Sequence, residues 1–218
     1  MAIQDIYEAV MAFDEDTIGD LVQAEVDAGT DVQVILEKGM ISALDEIGKQ
    51  FSEGTLFVPE MLMAAEATQA GLDVLRPVLI DAGIKPVGTV VLGTVKGDLH
   101  DIGKNLVGMM LEGAGFALVD LGTDVDAESF VNAAQEKEAD IIAMSALLTT
   151  SMPEMEKAVA AVSAANQSRN LNVKVIVGGP PVNTDFADKI GADGYGVDAH
   201  GAVELVRDLV QSGGQRTG

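Results

Sequence analysis

Thr89-Val90-Val91-Leu92-Gly93-Thr94-Val95-Lys96-Gly97-Asp98-Leu99-His100-Asp101-Ile102-Gly103 passes from an unbroken apolar run, through a glycine-rich polar loop, into a helical pattern. Thr89–Leu92 reads as a strand. It lacks the apolar–polar alternation of a half-solvated strand, so both its faces must be buried, as in a parallel sheet covered by helices on both sides. Working outward, similar short runs recur at Ala117–Leu121, Ile141–Met144 and Val173–Val177, with a weaker one at Gly194–Gly196. Helical patterns separate them at Ile102–Gly113, Ala127–Glu138, Pro153–Ala165, Thr184–Ile190 and Ala199–Gln211. Strand–helix alternation of this kind predicts a five-stranded parallel sheet.

Upstream of Gly83-Ile84-Lys85-Pro86 the period changes. Val32, Leu36, Met40, Ala43, Leu44, Ile47 and Phe51 step by three and four, which draws one stripe down a helix. Gly29 fits the stop of the preceding helix, and Thr30 or Asp31 can cap the next. A second stripe, Met61, Leu62, Ala65, Leu72, Leu75 and Leu79, begins after Pro59 and Glu60, a good opening for a helix. Shorter helices are expected at Ile3–Phe13 and Thr17–Ala28, completing a four-helix bundle. The fold class is therefore α/β: a four-helix bundle over residues 1–84, then a flavodoxin-like (Rossmann-type) five-stranded parallel sheet over residues 85–213, with a flexible tail at 214–218. The whole stretch Ser212–Gly218 is polar and Gly-rich, and fraying is expected there.

Composition narrows the function. Lys and Arg number 13 against 35 Asp and Glu, a formal charge of −22. Such a surface repels phosphate backbones and anionic lipid, so neither nucleic acid nor membrane is an expected partner. There are no cysteines, which excludes disulfides, thiolate metal sites and cysteine nucleophiles. Met1–Asp5 carries no basic region followed by an apolar run, and no stretch of about 18 apolar residues exists, so a cytoplasmic protein is expected.

Open parallel sheets bind ligands at the carboxyl ends of their strands, where the strand order reverses. If the order is 2-1-3-4-5, the reversal lies between the first and third strands. The loops concerned are Thr94–Gly103, with one of only two histidines, and Ser145-Ala146-Leu147-Leu148-Thr149-Thr150-Ser151, followed by Gly178-Gly179-Pro180-Pro181 after strand four. The first is no phosphate loop, since Gly103-Lys104 is followed by Asn105 and Gly97 has the wrong spacing. Its distinctive feature is Asp98-x-His100. A carboxylate two residues from a histidine can accept the second ring N–H, which is how proteins fix the tautomer of a metal-bound imidazole.

Asp98-x-His100-x-x-Gly103, then Ser145-x-Leu147, then Gly178-Gly179, resembles the signature of cobalamin-binding domains in order and spacing. The helical half with Val58-Pro59-Glu60 resembles the cap that accompanies that domain in methionine synthase. Nearly end to end, the chain resembles the small corrinoid proteins of methylamine, methanol, glycine betaine and aryl ether demethylation systems. The resemblance implies cobalamin or a related corrinoid as cofactor, with His100 as the lower ligand of cobalt, Asp98 hydrogen-bonded to it, and Ser151 extending a Ser–Asp–His relay. It implies that Gly97, Asp98, Leu99, His100, Asp101, Ile102 and Gly103 line the corrinoid, and that Ser145, Leu147, Thr149, Gly178 and Gly179 line a slot for its nucleotide tail. Met61, Leu62 and Met63 would face its upper, methyl-bearing side.

The implied role is a methyl carrier, non-catalytic alone, served by a substrate-specific methyltransferase, a second methyltransferase that moves the methyl to tetrahydrofolate or coenzyme M, and a reductive activase. The chain is too short to hold a catalytic barrel of about 250 residues as well. The B12-binding subunit of an adenosylcobalamin mutase shares the histidine loop but usually lacks the helical cap. A B12-dependent sensor would need a basic DNA-binding domain. Blander readings stand beside these. Asp98 can form a simple turn, Asp101 and Ser151 can cap helices, Gly178-Gly179 can be only a tight turn, and the methionines can be core filling. His200, in Val197-Asp198-Ala199-His200, is read as a surface residue.

Overall fold

The computed structural model describes residues 2–169 and 171–214. Its helical unit opens with α1 (Ala2–Met11) and α2 (Glu15–Asp27). A continuous helical rod follows, made of α3 (Val32–Val34), a π-helical segment Ile35–Ile41 and α4 (Ser42–Ser52), and α5 (Val58–Asp81) completes the set. The ends form where the local chemistry directs. Asp14 accepts the Thr17 amide at 3.1 Å, Asp31 accepts the Gln33 amide at 2.8 Å, and Glu60 reaches back to the Phe57 amide at 2.8 Å. Gly29 takes φ +76°, which a side chain would resist.

The stripe from Val32 predicts one regular helix, and the π-helical turn is a departure from it. Ser42 bonds back to the Glu37 carbonyl, five residues earlier. The widened turn keeps Ile35, Leu36, Gly39 and Met40 all buried. Gly39 is needed there because a Cβ would lie 3.0 Å from Ile6 Cγ2. Ile6, Ile18, Ile47, Met61 and Leu75 are fully enclosed, each such side chain contributing about 1.5–3 kcal/mol of burial.

The α/β unit holds five parallel strands in the order β2-β1-β3-β4-β5: β1 (Thr89–Thr94), β2 (Ala117–Asp120), β3 (Ile141–Ser145), β4 (Lys174–Gly178) and β5 (Gly194–Gly196). Helices α6 (Ile102–Gly113), α7 (Ala127–Glu136), α8 (Met152–Arg169), α9 (Thr184–Ile190) and α10 (Ala199–Gly214) connect or follow them. Val91 pairs with Val119 and Ile142, and Met144 with Val177. β1, β3 and β4 are largely buried, whereas the edge strands β2 and β5 are only partly so, and Phe130, Met155 and Val159 help fill one core.

Most element boundaries shift by one to four residues from expectation, and two of the shifts bear on the ends of the sheet unit. β1 continues past Leu92 to Thr94, because Thr94 still pairs with Ser145. α10 continues past Gln211 to Gly214, so Ser212–Gly214 are helical, and the Ser212 hydroxyl back-bonds to the Leu209 carbonyl at 3.0 Å. The rest of the expected tail, residues 215–218, lies outside the described residues.

The compact units are not separated by a single cut. One runs up to Pro86 and also includes Met109–Gly115; the other comprises Val87–Gly108 and the chain from Phe116 onward. Gly113 explains the exchange, since a Cβ there would stand 2.4 Å from Leu44 Cδ2 and 3.3 Å from Thr68 Cγ2. The strand order reverses around β1, which has β2 on one side and β3 on the other, so the loops after β1 and β3 leave the sheet side by side.

Candidate functional site

Asp98 lies on the loop after β1 and has no exposed surface. Its Oδ1 accepts from His100 Nδ1 at 2.7 Å and from the His100 amide at 3.1 Å. Its Oδ2 accepts from the Leu147 amide at 2.7 Å, the Leu148 amide at 3.1 Å and the Ser151 hydroxyl at 2.9 Å. One carboxylate thus holds the loops after β1 and β3 together. Burial alone would raise its pKa. Hydrogen bonds from the His100 ring, the Leu147 and His100 amides and the Ser151 hydroxyl outweigh that, and hold Asp98 well below the usual carboxylate range.

An ionised carboxylate can only accept, so His100 Nδ1 is the donor of that pair. In the neutral ring this leaves Nε2 with its lone pair free. The His100 side chain is 53% exposed, half open to an incoming ligand. Its backbone is held as well, because the buried Thr94 hydroxyl donates to the His100 carbonyl at 2.9 Å.

Ser151 is buried and stands one residue before α8. Its carbonyl accepts from the Glu154 amide at 2.9 Å. Its hydroxyl lies within reach of two acceptors, Asp98 Oδ2 and the Leu148 carbonyl at 2.8 Å, and has one proton to share between them. Asp101 leads into α6, its carbonyl accepting from the Asn105 amide at 2.7 Å.

The other residues of interest divide by surroundings. Leu99 and Ile102 flank His100 at 74% and 76% exposure. A built Cβ at Gly103 meets no atom within 4 Å, and neither does one at Gly97, where φ is +80°. Gly179 is different: a Cβ there would lie 2.0 Å from the Ala146 carbonyl oxygen, at φ +117°, so the chain's own packing requires glycine. At Gly178 the nearest atom would be the Gly196 oxygen at 3.2 Å. Ser145 ends β3 and is partly buried, while Leu147 and Thr149 are exposed. In the helical unit Met61 is fully buried in that unit's core, whereas Leu62 and Met63 are 37% and 47% exposed.

His200 departs from its reading as a surface residue. It is partly buried, and its Nδ1 is enclosed without a hydrogen-bond partner among the described residues. Four participants went unread in the sequence: the Leu148 amide, the Thr94 hydroxyl, and the carboxylates of Asp120 and Asp124, which brace the loop from the β2 side. A backbone amide carries no residue-type signal, and the acids are two among 35.

These residues fit a corrinoid. Among the described residues no three His, Cys, Asp or Glu side chains converge to chelate a bare ion. A single oriented imidazole is what a metal already held in the plane of its own macrocycle requires. The exposed Leu99 and Ile102, and the free space at Gly103, suit a bulky apolar ring beside it.

Comparison with known proteins decides the family. A B12 binding domain family matches residues 88–204, and a second B12 binding domain family matches residues 2–76. The chain belongs to the corrinoid proteins built on B12-binding domains. It is 42% identical over 208 residues to trimethylamine corrinoid protein 1 of Methanosarcina acetivorans, covering 93% of this chain and 94% of that one. A crystal structure of a cobalamin-binding protein from Desulfitobacterium hafniense superposes with a TM-score of 0.79 at 31% identity, covering 95% of this chain and 98% of that one. The methanol:cobalamin methyltransferase complex of Methanosarcina barkeri gives the same TM-score at 30% identity, covering 96% of this chain and 80% of that one. Corrinoid proteins of this family use a cobalamin-type cofactor, and the site above is where this chain offers its one oriented imidazole. No helix among the described residues is long and apolar enough to cross a membrane.

Proposed function

We propose that this chain carries a methyl group on the cobalt of a corrinoid bound through His100 Nε2 as lower ligand. The observation that carries this reading is the Asp98 carboxylate, which orients the His100 ring at 2.7 Å while anchored by three donors from the loop after β3. Bound there, the corrinoid supplies the metal that accepts and releases the methyl group. The residues of the chain do the rest. Asp98 fixes the tautomer of His100 and makes the imidazole a better donor. Ser151 holds Asp98 and offers a route by which a proton can reach the pair when the ligand bond changes. Gly97 and Gly103 leave room for the ring, with Leu99, Asp101 and Ile102 along its edge. Ser145, Leu147, Thr149, Gly178 and Gly179 receive the nucleotide tail. In the helical unit Leu62 and Met63 expose apolar surface, whereas Met61 is enclosed.

The partners follow from the chemistry. A substrate-specific methyltransferase loads the carrier, a second unloads it to a thiol or a folate, and a reductive activase rescues oxidised cobalt. The donor is chosen by the loading enzyme and not by the carrier. The helical unit, with its own B12-binding match over residues 2–76, favours this role over a mutase subunit.

The test is the visible spectrum of the protein reconstituted with hydroxocobalamin, native and as His100→Ala. Loss of the base-off/His-on features in the variant is expected. Identical spectra and equal affinity would sink the reading.

A further inference from the structure

Lys104 is almost fully enclosed, with 1% of its side chain exposed, yet it is absent from the chemistry described above. Its ammonium pairs with Asp120, the last residue of β2, whose side chain is 39% exposed. Burying the Lys104 ammonium costs desolvation energy that its attraction to the partly exposed Asp120 must offset, so the pair is poor evidence for stability. A methionine of similar length would fill the same space without that penalty. The pair therefore calls for a role other than stability.

Its connections supply one. Asp120 Oδ1 accepts the Gly122 amide at 2.8 Å, and the Gly122 carbonyl accepts the Thr94 amide at 2.9 Å. The Thr94 hydroxyl then donates to the His100 carbonyl. The path from Lys104 thus returns to a residue four positions before it, closing a ring around His100. The same β2 loop also reaches the middle of the segment. Asp124 Oδ1 accepts the Gly97 amide at 2.8 Å, and the Asp124 amide donates to the Asp98 carbonyl at 3.1 Å.

We infer that Lys104 and Asp120 are positioning residues: they staple the segment from Thr94 to Lys104 onto the end of β2 and so set where His100 presents its imidazole. The inference rests on His100 being the cobalt ligand. Asp98 fixes the rotation of the ring, and the staple fixes the backbone that carries it. Neither residue touches the metal or its macrocycle in this scheme. Their loss acts through the distance and angle at which Nε2 meets the cobalt, which a shift of a few tenths of an ångström in α6 would change.

The experiment uses the whole chain, labelled with ¹⁵N and loaded with unlabelled cob(II)alamin. In the electron paramagnetic resonance spectrum an axial ¹⁵N from the protein splits each cobalt line into a doublet, whereas an axial nitrogen of the cofactor gives triplets. Wild type shows doublets and His100→Ala does not. Lys104→Met retains bound cofactor, but its ratio of His-bound to His-free cobalt falls about tenfold, the low end for outer-shell partners of a metal-bound histidine. Lys104→Arg, which keeps the charge, restores most of the doublet intensity. A purely structural role would instead lower the amount of folded, loaded protein and leave the splitting of that fraction intact. Full doublet intensity in Lys104→Met overturns the staple; if that variant does not fold, the same criterion is applied to Asp120→Asn. Absence of doublets in wild type overturns the ligand assignment itself, which is a distinguishable result.

Discussion

The two units differ most in what they bury. Among the described residues the helical unit encloses one polar side chain, Thr68, whose hydroxyl is satisfied within its own helix by the Ala64 carbonyl at 2.8 Å. The α/β unit encloses Thr94, Asp98, Lys104 and Ser151, all on or beside the loops at the carboxyl edge of the sheet. Each of those is satisfied only by partners distant in sequence or across a turn. The helical unit is a packing solution. The α/β unit accepts polar burial, with its desolvation penalty, and those polar contacts fix the loop geometry around His100.

The largest test of that contrast is Asp98→Ala. It strips the acceptor from three backbone amides, a hydroxyl and the His100 ring, and each orphaned buried donor costs about 1–3 kcal/mol. A loss of about 3 kcal/mol or more is expected in urea unfolding monitored on the α/β unit. A loss below about 1 kcal/mol would mean that the carboxylate is not the node described.

Acid provides a related test without mutation. A carboxyl held below its unfolded value stabilises the native state above about pH 4, and this stabilisation is lost as pH falls through the lowered native value. Wild type is expected to lose stability on acidification below about pH 4, and Asp98→Asn to lose less over the same window. Equal slopes would break the argument.

Glycine substitutions compare the units at smaller scale. Gly179→Ala places a Cβ against the Ala146 carbonyl oxygen in a left-handed conformation, neither of which can yield cheaply. About 2–3 kcal/mol of destabilisation is expected in thermal unfolding. Gly71→Ala in the helical unit meets the end of a flexible Met40 side chain at 3.0 Å. There the gain in helix propensity and the crowding nearly cancel, and a change within about 1 kcal/mol is expected. If the two substitutions cost the same, tight backbone contact does not distinguish the site loops from the helical core.

The smallest effect is expected from Thr68→Val. The hydroxyl only back-bonds to a carbonyl already within the helix, so the isosteric change should stay within about 1 kcal/mol in either direction.

Much of the site was legible because it is local in sequence. Asp98 and His100 are two residues apart, and that spacing by itself suggests a carboxylate–imidazole pair. In the sequence Ser151 suits both relay and helix cap, because both roles fit a serine ahead of Pro153; only the fold brings its hydroxyl within 2.9 Å of Asp98, across 53 residues. Leu148 contributes an amide that any residue type would supply. Nothing in the sequence marks Lys104 as buried, since a helical pattern tolerates lysine on any solvated face. The same limit hid the π-helical turn at Ile35–Ile41. An apolar stripe reports which side of a helix is buried, and is nearly indifferent to one widened turn.

The sequence by itself determined the elements and their kind. Unbroken apolar runs set between helical patterns read as strands of a covered parallel sheet, and steps of three and four bury one side of a helix. It also placed the imidazole beside a carboxylate, because that pairing needs no more than a turn. Tertiary structure alone decided what surrounds the pair: which amides and hydroxyl anchor Asp98, which strand end staples the loop through Lys104, and that Met109–Gly115 groups with the helical unit. Those contacts join residues far apart in the chain. They exist only once the sheet order places the loops after β1, β2 and β3 side by side, and no local preference specifies that order.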